Sequence, residues 1–231
     1  MRTARQSAFT LIELLVVIAI IAVLMGIMMP ALSRVREHGK EAVCRSNLKQ
    51  IGMGANMYAD SWNMLVPRGS SGAEAWYSLF MPYLSQRAVN GKDYRTVKIY
   101  RCPSYPVKEQ TVCYVVNGWK FSSPTDRTGT EKTSSSRTSE CRRPAEKIYL
   151  VDNEDGSWRD IITSTSSPGI VRCDVWSPGH LPTSDSEDVT TGRRVAATRH
   201  KKAGTSVLYM DWHVDYVATD DMTIDMWRWR Y

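Results

Sequence analysis

FTLIELLVVIAIIAVLMGIMMPAL, residues 9–32, decides how the rest of this chain is read. Between Phe9 and Leu32 the single charged residue is Glu13. About 20 residues of α-helix rise roughly 30 Å, the thickness of a bilayer's hydrocarbon core. A carboxylate in such a segment costs roughly 2.5–3.5 kcal/mol on insertion scales, so Glu13 asks for a partner or a purpose. A short leader, residues 1–8, carries Arg2 and Arg5 and no acidic residue. Three readings compete for the segment: a secretory signal peptide, a membrane anchor, and the core helix of a soluble domain. A signal peptide has a shorter apolar run and a small-residue exit, whereas Met28-Met29-Pro30 closes this one. A core helix would show polar residues on one side, but from Leu14 to Met29 only Gly26 interrupts the apolar run. An anchor fits the length and leaves Glu13 unexplained.

In composition and register, Phe9-Thr10-Leu11-Ile12-Glu13-Leu14-Leu15-Val16-Val17-Ile18-Ala19-Ile20 resembles the N-terminus of type IV prepilins and type II secretion pseudopilins. The resemblance implies that a membrane-embedded prepilin peptidase cuts between Ala8 and Phe9 and then N-methylates Phe9. Glu13 becomes the fifth residue of the processed chain, where the family has its glutamate. Pro30 becomes the twenty-second, where many members have a helix-kinking proline. Ala8 departs from the glycine usual before the cut. The family also supplies a role for Glu13: it neutralises the N-terminal amine of a neighbouring subunit, which offsets the cost of a buried charge and sets axial register.

Charge placement gives orientation. The purely basic leader favours a cytoplasmic start and an exported body, hence a single pass through the inner membrane. The helix is expected to continue to about residue 60. Leu32, Val35, Gly39, Ala42, Val43, Ser46, Leu48, Ile51, Ala55 and Tyr58 form a mostly apolar or small stripe opposite Arg36, Glu37, Lys40, Glu41, Arg45 and Lys49. Pro30 and Gly26 weaken the helix near the bilayer exit. The organisation read from the chain is a leader (1–8), a transmembrane and assembly helix (9–31), an amphipathic continuation (32–60) and a β-rich exported domain (61–231).

The chain beyond residue 60 is rich in Trp, Tyr, Ser, Thr and Gly. Candidate strands are Thr96–Arg101, Thr111–Asn117, Lys147–Asp152, Ile170–Val175, Thr205–Asp211 and His213–Val217. Ala75–Leu84 reads as a short helix interrupted at Pro82, and Thr125–Ser139 and Thr163–Ser167 as exposed loops. No helix–strand alternation occurs, so an antiparallel sheet packed on the amphipathic half-helix is expected, an α+β, pilin-like fold. Cys44-Arg45-Ser46-Asn47-Leu48-Lys49-Gln50-Ile51-Gly52 resembles the CxxNLKQIG segment of large pseudopilin-like proteins of planctomycete-type bacteria. Those proteins carry, near the end, a histidine, nine residues and Asp-Gly. Here ten residues separate His200 from Asp211-Trp212, and the extra residue and the tryptophan predict a differently built turn.

Five cysteines, Cys44, Cys102, Cys113, Cys141 and Cys173, lie in the exported part. An oxidising compartment permits disulfides, and a Cys102–Cys113 bridge between neighbouring strands is the first candidate. Without a CxxC pair, the spacings give no zinc signature. Asp152-Asn153-Glu154-Asp155-Gly156 is an acid-rich turn in which Asp152 and Asp155 could hold Ca²⁺, although the same residues suit an ordinary solvated turn. His200 and Asp211 lack a nucleophile motif, and the chain reads as a non-enzyme. The net charge of +6 concentrates at Arg142-Arg143, Arg193-Arg194 and Arg199–Lys202, with aromatics at Trp227–Tyr231, which raises a nucleic-acid alternative. The leading expectation is a structural subunit of a type IV pilus or type II secretion pseudopilus, whose partners are other pilin subunits, prepilin peptidase and the membrane assembly platform. The alternative is an anchored, exported binding protein, such as a DNA-binding minor pilin, that does not polymerise.

Overall fold

A computed structural model describes residues 11–69, 75–90, 93–132, 134–154, 173–186, 192–200 and 202–231. The first element is a helix, α1 (Leu11–Ser61), and the chain divides within it, after Gly39, into two units. Over the described residues of the first unit, β-branched side chains are frequent, which disfavours helix in water. In lipid the same backbone must satisfy its hydrogen bonds internally, and helix is the solution. Among the described residues α1 is the one helix long and apolar enough to cross a membrane, with a mean hydropathy of 3.0 over its most apolar window, none of it buried. Pro30 lies inside α1, so the carbonyl four residues earlier, on Gly26, loses its helical donor. Two weak points thus fall in one turn, where the sequence places them.

The second unit, Lys40–Tyr231, has its own core. Its first stretch is the end of α1, where Cys44, Leu48, Ile51, Ala55 and Tyr58 are buried at spacings of three and four. The buried face differs from the expected stripe between residues 41 and 47. Ala42, Val43 and Ser46 are exposed, and Glu41, Cys44 and Asn47 are buried instead. Each inward polar group has a partner that compensates its desolvation. Glu41 pairs with Lys202 at 2.6 Å. Asn47 donates Nδ2–H to the Arg101 carbonyl at 2.9 Å. Cys44 is described below.

The remaining strands are β1 (Leu65–Val66), β2 (Tyr114–Asn117), β3 (Trp119–Lys120), β4 (Thr130–Glu131), β5 (Ser136–Arg137), β6 (Ile148–Asp152), β7 (Asp174–Val175), β8 (Gly204–Tyr209) and β9 (Val214–Ala218). The main sheet has the order β7-β2-β6-β8-β9. Its pairs are antiparallel except β2–β7, which is parallel, so the sheet is mixed rather than purely antiparallel. Alternation sends Tyr114, Val116 and Leu208 into the core that holds the end of α1, and Val115, Val207 and Tyr209 into a second core with Trp119 and Trp227. A register shift between Ile148 and Leu150 puts Tyr149 and Leu150 in the same core. Gly52 lets α1 approach β8 closely: a Cβ there would lie 2.8 Å from Leu208 Cδ1.

Several expectations shift. Thr96–Arg101 is not a strand: Tyr94–Thr96 and Lys98–Tyr100 are 3₁₀ turns, their aromatics packed edge-on against Tyr77 and Trp76. Ala75–Leu84 resolves into α2 (Trp76–Leu79) followed by a 3₁₀ turn at Met81–Tyr83, the break falling where Pro82 removes a donor. The expected loop Thr125–Ser139 contains β4 and β5, which pair with β3 and β1, and Ser136 is buried. Two-residue strands are too short to leave an alternation in sequence. Thr163–Ser167 and the first residues of the expected strand Ile170–Val175 lie outside the described residues. The turn between β8 and β9 does form, with Trp212 N donating to Tyr209 O at 3.0 Å. Trp212 itself takes φ +69° where a glycine would be relaxed, held by an edge contact with Tyr149 and by Lys49 Nζ donating to its carbonyl.

Candidate functional site

Two regions carry functional side chains, and each is described by itself. In the first, Glu13 sits in α1 in an otherwise apolar setting, surrounded in sequence by exposed Leu11, Ile12, Leu14 and Leu15. Ala8 and Phe9, the expected cleavage and methylation positions, lie outside the described residues.

The second region is inside the body, where four segments converge. Cys44 comes from α1, Cys102 from the loop after the Lys98–Tyr100 turn, Asp152 from the end of β6, and His200 from the turn before β8. All four are buried, and their ligand-type atoms lie within 4.8 Å of one another. Cys44 Sγ is 3.1 Å from Asp152 Oδ1 and 3.4 Å from Tyr114 Oη. Cys102 Sγ is 3.6 Å from His200 Nε2. Asp152 Oδ2 accepts from Ser206 N at 3.1 Å and Thr205 Oγ1 at 3.3 Å. The alternation that sends Leu150 toward the α1 core sends Asp152 the same way, so strand period places the carboxylate opposite Cys44.

The surrounding hydrogen bonds fix this arrangement. Cys113 N donates to Tyr100 O, and Asn153 N to Cys113 O, both at 2.8 Å, tying the Cys102 loop to β6. His200 has φ +55°, a left-handed conformation that costs about 1–3 kcal/mol in a non-glycine residue. The turn that holds it is closed by Arg199 N donating to Lys202 O at 3.1 Å and to Gly204 O at 3.0 Å. Arg199 also reaches the Asn153 carbonyl, and its guanidinium lies over the Tyr105 ring. Burial pushes the Cys44 thiol well above its ordinary range. The Cys102 thiol is pulled down to about 7, first by its hydrogen bond with Cys44 and, against burial, by His200. Burial lowers the His200 imidazole, but Cys102, Asp152 and Glu41 outweigh it and leave the group more basic than usual.

The other sequence candidates are placed as follows. Cys102 does not bridge to Cys113, and all five cysteines are buried as thiols. The reason is orientation, since the Cys102 sulfur turns toward His200 and Cys44. Asp152 faces the core, and Asp155 lies outside the described residues. His200 and Asp211 are not partners: Asp211 pairs with His213 at 2.5 Å. Of the basic clusters, Arg142-Arg143 is exposed, whereas Arg194 and Arg199 are buried. Arg194 pairs with buried Asp174 at 2.6 Å, Arg193 with Glu154 at 2.8 Å and Lys202 with Glu41. Trp227 and Trp229 are buried, so they are not stacking platforms for bases.

Sequence spacing missed the second region because positions 44, 102, 152 and 200 are each about fifty residues apart. A signal was present in α1, where a polar triad, Glu41, Cys44 and Asn47, repeats at helical spacing beside the apolar stripe.

Residues 3–29 match the family model of the prokaryotic N-terminal methylation motif, the leader signature of type IV pilins and pseudopilins. No curated protein and no solved structure matches the chain. The long N-terminal helix followed by a sheet domain is a pilin-like α+β fold.

Proposed function

We propose that this protein is a structural subunit of a type IV pilus or type II secretion pseudopilus, cut between Ala8 and Phe9, methylated on Phe9 and polymerised through α1. The observation that carries this reading is the methylation motif over residues 3–29 on a helix whose apolar side chains stay uncovered, with Glu13 among them. An uncovered apolar surface this long is stable in lipid or against like helices, not in water. Glu13 then supplies charge for the free amine of a neighbouring Phe9, a pairing that fixes register in a low-dielectric bundle. The leader lies in the cytoplasm, a single pass crosses the inner membrane, and the body is displayed outside. The role is scaffolding rather than catalysis, and the inward-turned arginines favour protein partners over nucleic acid.

Co-expression of the full chain with a prepilin peptidase tests the premise by intact mass. Loss of residues 1–8 together with the gain of one methyl group is expected. An unprocessed chain in the presence of active peptidase sinks the proposal. A processed chain that never crosslinks into multimers in membranes favours an anchored, non-polymerising protein instead.

A further inference from the structure

We infer that Cys44, Cys102, Asp152 and His200 form a structural site for a thiophilic divalent metal, with Zn²⁺ the ion that fits best. The inference does not depend on the filament reading. Two thiols, one imidazole and one carboxylate are the donor types that zinc selects, in the number that closes a tetrahedral structural site. Tetrahedral bonds to sulfur, nitrogen and oxygen of usual length put neighbouring ligand atoms on the order of 3.3–3.8 Å apart. The contacts of 3.1 Å between Cys44 and Asp152 and 3.6 Å between Cys102 and His200 are within a few tenths of an ångström of that spacing.

Charge supports a cation here. Asp152 is fully buried, and its described partners are the neutral groups Cys44, Thr205 and Ser206. A buried carboxylate facing two sulfurs, with the imidazole of His200 as the basic group beside it, is a setting in which a divalent ion offsets the cost of burying negative charge. A divalent ion binding two thiolates, a carboxylate and a neutral imidazole releases the two thiol protons and leaves one net negative charge. No oxidant or reductant is involved. Hydrogen bonds that would hold these donors in place are present as well: Tyr114 Oη meets Cys44, and Ser206 N and Thr205 Oγ1 orient the carboxylate. The ligands come from α1, a loop, β6 and the turn before β8, so one ion cross-links four segments that sequence keeps far apart. Its role is to clamp the end of α1 to the sheet. With four protein ligands no position remains for substrate, which makes the site structural rather than catalytic.

The competing chemistry for two adjacent thiols in an oxidising compartment is a Cys44–Cys102 disulfide. The test uses the full chain in detergent, purified both as isolated from membranes and after reduction. The probes are zinc, measured by elemental analysis, and Co²⁺, measured by its sulfur-to-metal charge-transfer absorption. About one metal per chain and a tetrahedral cobalt spectrum are expected. Both should be lost in Cys44→Ser and His200→Ala and kept in Cys141→Ser, whose thiol lies outside the cluster. His200→Cys provides a readout that survives if the deletion variants fail to fold: it should still bind cobalt, with stronger charge-transfer absorption from a third sulfur. A strong chelator should lower the melting temperature of the wild-type chain and leave that of Cys44→Ser unchanged. Failure of the reduced chain to take up stoichiometric zinc or cobalt overturns the inference. So does a quantitative Cys44–Cys102 disulfide in the chain isolated from membranes.

Discussion

The two stretches of α1 obey opposite rules. Before Gly39, described side chains such as Val16, Ile20, Leu24 and Met28 are apolar and exposed, and the apolar run holds the carboxylate of Glu13. After Lys40, apolar residues are buried at helical spacing and three polar ones, Glu41, Cys44 and Asn47, are buried with them. In the second stretch every inward polar group is answered inside the chain, by Lys202, by the Asp152 cluster and by the Arg101 carbonyl. The first stretch has no such cover for its apolar surface, and its stability must come from lipid or from other molecules. One helix therefore carries an uncovered apolar stretch and a core element turned inward. A change in one stretch should leave the property of the other intact.

Glu13→Ala is the severest way to break that separation. Removing one partner of a buried ion pair costs about 3–5 kcal/mol, roughly two to four orders of magnitude in subunit affinity if the amine of Phe9 is the partner. Filament yield, or secretion in a complementation assay, should fall to background. The melting temperature of the chain in detergent should not move. A Glu13→Ala chain that assembles normally removes the assembly role, and one that unfolds removes the separation.

Leu48→Ala addresses the other stretch. Leu48 is fully buried against the sheet, and truncating such a leucine costs about 2–5 kcal/mol through lost transfer energy and a cavity. Chemical denaturation should record that loss, while cleavage and methylation at Ala8 and Phe9 proceed as in the wild type. If processing fails as well, the body and the leader are coupled in a way the comparison denies.

Legibility in the sequence followed the same division. The methylation motif and the membrane-spanning length of the N-terminal stretch were legible because their signal is local: a run of apolar residues behind a basic leader. The end of the helix was also readable, since α1 closes at Ser61, against an expected end at about residue 60. The central strands β2, β6, β8 and β9 were legible because each carries three residues of β-branched or aromatic character. What was not legible required a partner distant in sequence. The parallel pairing of β7 with β2 depends on a crossover of more than fifty residues. The metal ligands belong to four segments and become a set only when β6 and α1 face each other. Strand alternation at Asp152 and helix spacing at Cys44 each fix a direction, but neither says that the two directions meet.

The smallest expected effect is also the sharpest test of how the helix face was read. Val43 belongs to the apolar stripe as sequence suggests it, yet it is 49% exposed, next to Cys44 at 0%. The discrepancy arises because the stripe was drawn from hydrophobicity, whereas the body selects its neighbours by the partners it offers. Val43→Ser removes apolar surface that the described body does not cover and exchanges two residues of similar helix propensity. Folding stability should therefore change by less than about 0.5 kcal/mol, as for other surface substitutions. A loss of 1 kcal/mol or more on that scale, measured by denaturation, would mean that Val43 is covered and that the stripe read from hydrophobicity is the right one. If stability holds and assembly weakens, the outward face of α1 extends past Gly39, and the boundary between its two rules lies within the turn that contains Val43 and Cys44.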